Sequence, residues 1–487
     1  MKKIHAFLFF TLCILSTIPA KAQHSQGYCG TQGTDMKWLN HYVQHRNLYN
    51  PEWGTIMYLP LQVHLVADSM GKRRMSIPTI LQTLHKVNQD MQQAEIRFYL
   101  YRDFDNIDNT TWFNHDYSGG AQMMRINNIR SAVNVYTVGS PAGNCGYYLP
   151  GQDAVALSNS CSGANSSTLT HELGHLLSLP HTFFGCEGVR YNPNEPLSVF
   201  KSKIRGTLEK VDGSNCSFAA DRFCDTEPDY LSYRWTCNGD GRSSVLLKDE
   251  NNQTFRANGT LFMSYANDAC ATRFSDEQIE AMRANISSRR GQLVAQSLPQ
   301  GEITSNVTGL LLPEDNKVQT MHPAVAWEPV QNATRYYVKV SKRKSFGGAP
   351  IFKGIVKKNE IQLPDLKPGR TYYIKIYPYN FVSFGAGFSP TFSFQTESLA
   401  STGSPKSLAV KLSSNLIARG TTLQLFFDNT TSKDISLYDL SGKRLFQTHV
   451  LGRRTISLPM TWPEGNYFLR IMYPGSGPIH TRRITVY

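Results

Sequence analysis

The sequence predicts a multidomain protein in which one α+β domain precedes two small all-β Ig-like sandwiches. One observation is a run of helix-forming residues, THELGHLLSLPHTF, that carries three histidines and a glutamate. A second is that apolar and polar residues alternate over short runs from about residue 312 onwards, as they do in the strands of sandwiches. A third is the stretch 397–407, whose Ser, Thr and Gly content is typical of a linker.

Residues 1–22 have the three parts of a secretory signal peptide. Two lysines precede an apolar run from Ile4 to Ile18, and Ala20-Lys21-Ala22 forms a small-x-small cleavage site. The apolar run is too short to span a bilayer, and no other stretch is apolar over enough residues for a membrane helix. We therefore expect an exported chain, secreted or attached to the cell surface, without a transmembrane segment.

Residues 55–300 carry the periodicities of mixed strands and helices. The predicted strands lie at Leu61–Val66, Ile96–Tyr101 and Val133–Val138. Ser76–Ala94 has apolar residues at helical spacing, with Ser76 as its N-cap. Ser275, followed three residues later by Gln278, predicts a capping box at the start of the last helix. This order of elements predicts the α+β domain.

The histidines of the THELGHLLSLPHTF run have the spacing of a catalytic zinc site. His171 and His175 are four residues apart, so both imidazoles point from one face of a helix. His181 follows Pro180, which ends the helix and lets the chain turn back to supply a third ligand. Three protein ligands leave a fourth position open for water, and Glu172 lies beside it as a general base. The pattern therefore predicts a zinc ion that activates water.

The run resembles the metzincin signature H-E-x-x-H-x-x-G-x-x-H, and the surrounding residues resemble the pappalysin family. The resemblance covers roughly residues 55–290 and is carried by the stretches TLTHELGHLLSLPHTF, DRFCDTEPDY, LFMSYANDAC and, further upstream, YCGT. It implies a metzincin zinc-protease domain at 55–300. The implied function is that of a secreted zinc endopeptidase acting on proteins or peptides.

The chain departs from the signature at Ser178, where the family has glycine. Glycine relaxes the backbone at the helix end, whereas serine adopts left-handed geometry only at a cost. We expect either a turn that is built differently or a slightly strained site. A second hypothesis follows, in which the chain is a surface adhesin that keeps the metzincin scaffold but has weak or no turnover.

The resemblance also implies roles for three residues of LFMSYANDAC. Met263 corresponds to the Met-turn methionine beneath the zinc ligands, and Tyr265 to the tyrosine that stabilises the oxyanion. Asp268 corresponds to the base of a pocket that favours Arg or Lys after the scissile bond. The alternatives are an ordinary core methionine, a half-buried tyrosine and a turn aspartate beside Asn267.

The stretch DRFCDTEPDY offers hard oxygen ligands of the kind that calcium prefers. The candidate ligands are Asp221, Asp225, Thr226 and Asp229. The resemblance implies that Asp221 and Thr226 bind a structural calcium ion together with backbone carbonyls. An acidic loop without a metal is the alternative.

The cysteine count favours disulfides in the exported chain. Nine cysteines less Cys13 of the signal peptide leave eight. The resemblance implies a Cys237–Cys270 disulfide, and Cys145–Cys161 is a second candidate.

Cys29 has two interpretations. In the stretch YCGT it resembles the propeptide cysteine whose thiolate occupies the open zinc position, so residues 23–54 are expected to be a propeptide. A structural disulfide is the alternative. If Cys29 is free, seven cysteines remain and one of them must be unpaired.

Two all-β regions complete the chain. Residues 312–397 resemble a fibronectin type III domain, through Trp327-Glu328-Pro329 and the run Leu366–Tyr372. Residues 406–487 resemble the C-terminal sorting domain of the type IX secretion system, through ISLYDLSGK and PEGNYFLR. This resemblance implies that the type IX secretion machinery is a partner and that the chain is exported through the Gram-negative envelope.

The formal net charge of +13 does not predict a nucleic-acid partner. The basic clusters are short, and they lack the interleaved aromatic residues of a groove that binds single strands. They are Lys342-Arg343-Lys344, Lys357-Lys358 and Arg482-Arg483. Such clusters are typical of solvated faces.

Overall fold

The computed structural model describes residues 27–31, 36–49, 53–312, 317–398, 410–427, 432–472 and 479–487. The expected signal peptide at 1–22 lies outside the described residues, as does most of the expected linker at 397–407. The chain divides into two compact units, Met1–Glu397 and Ser398–Tyr487. Across the described part of the chain, no helix has both the length and the apolar character needed to cross a membrane.

A seven-stranded sheet forms the centre of the first unit. The strands that precede the histidine helix are β1 Gly27–Cys29, β2 Met57–Ala67, β3 Ile96–Leu100, β4 Asp105–Asp108, β5 Asn114–His115, β6 Val133–Val138, β7 Ser140–Pro141, β8 Asn144–Leu149 and β9 Ala154–Ser158. The sheet has the order β1-β8-β9-β6-β2-β3, with β4 also paired to β2, while β5 and β7 form a separate pair. Its neighbours are parallel except for β8 and β9.

The helices account for this parallel pairing. They are α1 Met36–Gln44, α2 Ile77–Asp90, α3 Thr110–Phe113, α4 Tyr117–Asn127, α5 Thr168–Leu176, α6 Leu197–Lys201 and α7 Asp276–Arg289, with 3-10 turns at Arg46–Leu48, Asn159–Cys161 and Gly291–Leu293. Parallel neighbours need a crossover connection, and α2 supplies it between β2 and β3. The region is therefore a mixed α/β domain rather than one with segregated helices and strands.

The predicted element boundaries differ from the observed ones mainly in β2. The sequence predicts a strand at 61–66, whereas β2 covers Met57–Ala67. Its last nine residues are all buried, so they do not show the alternation of a strand with one solvated face. Both predicted caps are present: Ser76 accepts a hydrogen bond from Thr79 N, and Ser275 forms the capping box with Gln278.

Helix α5, which carries the first two histidines, ends in a Schellman motif centred on Ser178. The Ser178 N–H donates to the His175 carbonyl at 2.9 Å, and the Leu179 N–H donates to the Gly174 carbonyl at 3.0 Å. Ser178 has a left-handed φ of 74°. Asn285 of α7 donates a hydrogen bond from Nδ2 to Ser178 Oγ at 2.6 Å. The turn thus keeps the geometry that suits glycine, and a contact of the serine side chain offsets part of the strain.

Three disulfides are present among the described residues: Cys145–Cys161, Cys216–Cys224 and Cys237–Cys270. The first and the third are the two that the sequence analysis expects. Cys29 and the buried Cys186 are free thiols. A free Cys29 leaves seven other cysteines, an odd number, so one of them must also be unpaired. Cys186 is that second free thiol.

The rest of the first unit is built from short strands. They are β10 Leu247–Lys248, β11 Thr254–Phe255, β12 Leu310–Leu311, β13 Lys317–Val318, β14 Ala324–Trp327, β15 Arg335–Ser341, β16 Phe352–Val356, β17 Glu360–Gln362, β18 Thr371–Tyr379 and β19 Phe392–Thr396. Strands β12-β14-β17 and β13-β19-β18-β15-β16 form two sheets that share one apolar core around the buried Trp327. This region packs against the first sheet, since Leu100 N donates to Phe381 O at 2.7 Å.

The second unit also contains two sheets. Its strands are β20 Val410–Leu412, β21 Leu416–Ile417, β22 Thr422–Phe427, β23 Lys433–Tyr438, β24 Arg444–Val450, β25 Thr455–Pro459, β26 Gly465–Met472 and β27 Ile479–Val486. The sheet orders are β20-β22-β25 and β21-β27-β26-β23-β24, and both sheets contribute to one apolar core. The fibronectin type III and sorting-domain assignments of the two C-terminal regions stay predictions.

Ser178 provides a test of how the end of α5 is stabilised. We expect Ser178→Ala to lower the free energy of unfolding by about 1–3 kcal/mol, because it leaves Asn285 Nδ2 buried without its partner. Ser178→Gly should cost less, because glycine also removes a left-handed strain of about 1–2 kcal/mol. Urea unfolding of the three proteins measures the difference. Equal losses in the two variants would show that the φ of Ser178 is not strained.

Candidate active site

Three imidazole nitrogens converge on one point at the end of α5. His175 Nε2 lies 3.1 Å from His171 Nε2 and 3.1 Å from His181 Nε2. All three histidines are at most 4 % exposed. Ligand nitrogens about 2.0–2.1 Å from a tetrahedral zinc ion stand at a similar distance from one another. The three histidines that the sequence predicts as ligands are therefore brought together with the spacing of a metal site.

Hydrogen bonds on the opposite nitrogens fix the orientation of these rings. His171 Nδ1 lies 2.7 Å from Phe262 O, and His175 Nδ1 lies 2.7 Å from Leu179 O. Because a carbonyl only accepts, each of these Nδ1 atoms carries the proton, which leaves Nε2 free to bind a cation. Burial, together with the neighbouring His181, lowers the pKa of His171 and His175 well below the usual value for histidine. Neutral imidazoles are the form that binds metals.

Glu172 lies beside this point and is fully buried. Its side chain packs against Gly146 of β8, where an added Cβ would come within 2.9 Å of Glu172 Cγ. Thr31 Oγ1 donates a 2.8 Å hydrogen bond to Glu172 Oε2. Burial raises the pKa of Glu172 to about 8, and the hydrogen bonds from Thr31 and Cys29 act in the opposite direction. The carboxylate is therefore poised to hold a proton near neutral pH.

Cys29 occupies the fourth position around the point. Its Sγ lies 3.5 Å from His175 Nε2 and 3.6 Å from Glu172 Oε2. Among the described residues, Cys29 and the three histidines form the group whose ligand atoms all lie within 4.8 Å of one another. Burial, reinforced by Glu172, raises the pKa of the Cys29 thiol well above its usual value, whereas a bound divalent cation would favour the thiolate.

The Cys29 segment is held by the edge of the central sheet. Strand β1 pairs in parallel with β8, with Cys29 opposite Gly146. Helix α1, which follows, buries Trp38, Leu39 and Tyr42 in the same apolar core as α2 and α5. The segment around Cys29 is therefore an integral part of the folded chain.

Tyr265 and Met263 complete the surroundings of the histidines. Tyr265 Oη donates to the carbonyl of Cys29 at 3.1 Å, and its ring centroid is 4.8 Å from that of His181. Met263 is fully buried beneath α5. A Cβ added at Gly174 would lie 2.5 Å from Met263 Sδ, so only glycine admits this contact. The Met-turn role of Met263 and the oxyanion role of Tyr265 stay predictions.

Asp268 lies at the wall of a neighbouring cavity of about 400 Å³. Its Oδ1 accepts hydrogen bonds from Ser167 Oγ at 2.7 Å and Ser167 N at 3.3 Å. Arg234 Nη2 forms an ion pair with the same oxygen at 3.1 Å. Asp268 is therefore a pocket residue, as the sequence analysis expects, but its charge already has a partner.

The candidate calcium ligands separate into buried and exposed groups. Asp221 and Asp229 are buried, whereas Asp225 is exposed and accepts a 2.8 Å hydrogen bond from Glu277 N. The oxygens Asp221 Oδ2 and Glu209 Oε2 are buried without a hydrogen-bond partner. Burial, with the charges of Asp225 and Asp229, raises the pKa of Asp221 to about 8. Burial, with the charges of Asp221 and Asp229, raises the pKa of Glu209 to about 9. Buried carboxylate oxygens without a hydrogen-bond partner fit a cation. Among the described residues, however, no three of these carboxylates have oxygens that all lie within 4.8 Å of one another, as the ligand atoms of the histidine group do.

Several of these residues are absent from the sequence prediction. Thr31 lies in the stretch YCGT, for which the sequence predicts a role only for the cysteine. Glu209 and Arg234 lie outside the four stretches, and no motif marks them. Thr226, which the sequence predicts as a calcium ligand, is buried and donates from Oγ1 to Asp221 Oδ1 at 3.0 Å.

Comparisons with known proteins give one family match and two structural similarities. Residues 59–182 match the family described as Metallo-peptidase family M12B Reprolysin-like. No curated protein matches the sequence. Among solved structures, a promirolysin mutant from Tannerella forsythia is 17% identical, with a TM-score of 0.39 over 54% of this chain and 95% of that one. A human fibronectin type III domain is 21% identical, with a TM-score of 0.16 over 20% of this chain and 77% of that one.

The family match extends from the central strand β2 through α5 to the residue that follows His181. It therefore includes all three histidines that converge in the structure, and Glu172 between them. Residues 59–182 are therefore similar to a reprolysin-like metallopeptidase domain.

Proposed function

We propose that the chain is the latent form of a secreted, zinc-dependent endopeptidase of the pappalysin type. The observation that carries this proposal is the convergence of three imidazoles beside the buried carboxylate of Glu172. Structural zinc sites are closed by four permanent ligands, whereas catalytic sites have three and an exchangeable fourth position. Here the fourth position is taken by Cys29, which belongs to the expected propeptide.

The side chains around the metal position have complementary roles in peptide hydrolysis. The three histidines would hold a zinc ion, which would supply Lewis-acid polarisation of the scissile carbonyl and of the attacking water. Glu172 would take the proton of that water and pass it to the leaving amine, acting first as general base and then as general acid. Tyr265 donates its hydroxyl hydrogen to the oxyanion, just as it donates to the Cys29 carbonyl in the latent chain.

Latency is proposed to come from two contacts of the YCGT stretch. Cys29 takes the ligand position that water needs, and Thr31 binds the carboxylate that would act as the base. Removal of residues up to 54 would free both positions. Cleavage at the His45–Arg46 bond, just after α1, is a candidate first step.

A preference for Arg or Lys directly after the scissile bond is proposed from Asp268. Its carboxylate lines the cavity next to the metal position and is 28% exposed. A carboxylate that is partly desolvated binds a guanidinium or ammonium group more favourably than an apolar side chain.

A structural calcium ion is proposed at the buried acidic group. Asp221 and Thr226 are the ligands that the family resemblance implies, and the orphaned Glu209 Oε2 supports the addition of Glu209. Asp225 is not part of this proposal, since its carboxylate caps the N-terminus of α7.

Export is proposed from the sequence alone. The signal peptide at 1–22 and the sorting domain at 406–487 would direct the chain to the type IX secretion machinery and through the Gram-negative envelope. Protein or peptide substrates outside the cell follow from this route.

The metal site is tested by separate loss of zinc and of turnover. We expect His171→Ala, His175→Ala or His181→Ala to abolish both stoichiometric zinc and hydrolysis of casein. Glu172→Ala should retain zinc and reduce turnover by about 10²–10⁴-fold, since it removes only the proton transfer. Metal analysis and casein assays of the mature protein provide the measurements. His322→Ala, which changes an exposed histidine, is the control. Retained zinc and turnover in His181→Ala would contradict the three-histidine site.

Latency is tested by removing the thiol of Cys29. We expect the Cys29→Ala precursor to hydrolyse casein before any cleavage, with an increase of about tenfold or more over the wild-type precursor, or about 1.4 kcal/mol. Adding Thr31→Val should increase the activity further, because it also frees Glu172. Cys186→Ala removes the other free thiol and is the matched control, expected to stay latent. A disulfide mapped to Cys29 in the secreted precursor would refute this mechanism.

Calcium is tested through thermal stability. We expect added calcium to stabilise the protein by about 2.7 kcal/mol at a concentration 100 times the dissociation constant. Asp221→Asn and Glu209→Gln should abolish this increment, because each removes a charged ligand. Asp225→Asn should retain it, because that carboxylate faces α7. Scanning calorimetry with calcium and with a chelator makes the comparison, and an increment lost only in Asp225→Asn would place the ion elsewhere.

A further inference from the structure

The cleft beside the histidines is divided by one aromatic ring and one guanidinium group. A cavity of about 490 Å³ reaches His181 and Tyr265, and a second cavity of about 400 Å³ reaches Asp268. Tyr28 and Arg234 line both cavities. Since Tyr28 belongs to the expected propeptide, its removal would join the two spaces and leave Arg234 at their junction.

Arg234 is held at this junction by three contacts. Its guanidinium carbon lies 3.7 Å from the centroid of the Tyr28 ring, which is close for a cation–π contact. Its Nη2 is 3.1 Å from Asp268 Oδ1, and its Nη1 donates to the carbonyl of Ala266. The contact with Tyr28 is lost with the propeptide, whereas the contacts with Asp268 and Ala266 are made within the mature chain.

All the contacts found for Asp268 among the described residues end on the same oxygen, Oδ1. Ser167 supplies two hydrogen bonds to it and Arg234 the ion pair. Oδ2 is the oxygen that a ligand entering the cavity would contact. A basic side chain bound there would share one carboxylate with Arg234, at a distance where two positive charges repel.

We propose that Arg234 is a specificity-determining residue, a resident counter-ion of Asp268 that weakens selection for Arg or Lys after the scissile bond. The proposal rests on the protease function proposed above and deepens it. A carboxylate that already has a cationic partner gains less from a second cation than a carboxylate without one. Arg234 also offers its planar face to an aromatic side chain, as it does to Tyr28 in the latent chain.

The test compares peptides that differ only in the residue after the cleaved bond: Lys, Arg, Leu or Tyr. We expect Arg234→Gln to raise the ratio of kcat/KM for Lys over Leu by about tenfold or more, since it removes a like charge from the pocket. The ratio for Lys over Tyr should rise further, because the stacking surface is lost as well. Arg234→Lys retains the charge and should leave the Lys-to-Leu ratio near that of the wild type.

Two additional variants keep the result interpretable. Arg234→Met retains an apolar stem and should behave as Arg234→Gln does, so instability of one neutral variant does not remove the test. Asp268→Leu should abolish the preference for basic residues over Leu. Unchanged ratios in the neutral Arg234 variants would overturn the proposal, as would a preference for basic residues that survives Asp268→Leu.

Binding without turnover separates this proposal from the protease function. The same peptides are titrated by calorimetry into the mature Glu172→Ala protein, with and without Arg234→Gln. A rise in the ratio of affinities for Lys over Leu supports the role of Arg234 even if the wild-type protein hydrolyses nothing. Hydrolysis with unchanged affinity ratios and unchanged kcat/KM ratios supports the protease and overturns the role of Arg234.

Discussion

The separation of 3.1 Å between neighbouring imidazole nitrogens constrains the rest of the site. Lone pairs that point at one another at this distance repel unless a cation lies between them. The fold holds them there with rigid parts: α5 for the first two histidines, the turn at Ser178 for the approach to the third, and carbonyls of Phe262 and Leu179 for the ring orientations. The fold thus fixes the positions of three imidazoles, which is what metal selectivity and a fixed reaction geometry require.

The segment around Cys29, which is the propeptide in the proposed latent form, contacts each chemical group of the site. The thiol of Cys29 lies at the ligand position, the hydroxyl of Thr31 binds the base, and the carbonyl of Cys29 accepts the hydrogen bond of Tyr265. These three contacts come from two residues, Cys29 at the end of β1 and Thr31 just beyond it, and β1 is paired in parallel with β8. Because α1 buries Trp38 and Leu39 in the main core, the blocking strand is anchored by apolar contacts remote from the chemistry. In the proposed latent form, inhibition would therefore draw on the stability of the whole domain.

Local patterns in the sequence are sufficient to predict α2, α5, the capping box of α7 and the set of three histidines. Each of these depends on residues within one or two helical turns. The partners of the reactive groups were not predictable in this way, since Thr31 meets Glu172 across 141 residues. Composition likewise identified an acidic loop but not which carboxylates turn inwards, so Asp225 was grouped with Asp221 although it caps α7. Glu209 and Arg234 carry no motif, and only the folded chain shows that they face Asp221 and Asp268.

The hydrogen bond between Ser178 and Asn285 has an evolutionary consequence. Asn285 is 1% exposed, and its amide would lose a buried partner if position 178 reverted to glycine alone. A chain with glycine at 178 would in turn have no acceptor for Nδ2, although Oδ1 of Asn285 also accepts a hydrogen bond from Arg290 Nη1, so a side chain at 285 that only accepts would fit better there. The two positions, 107 residues apart, are thus expected to change together among related chains. A departure from a catalytic signature at one residue is then half of a compensated pair, and does not by itself mark the decay of an enzyme.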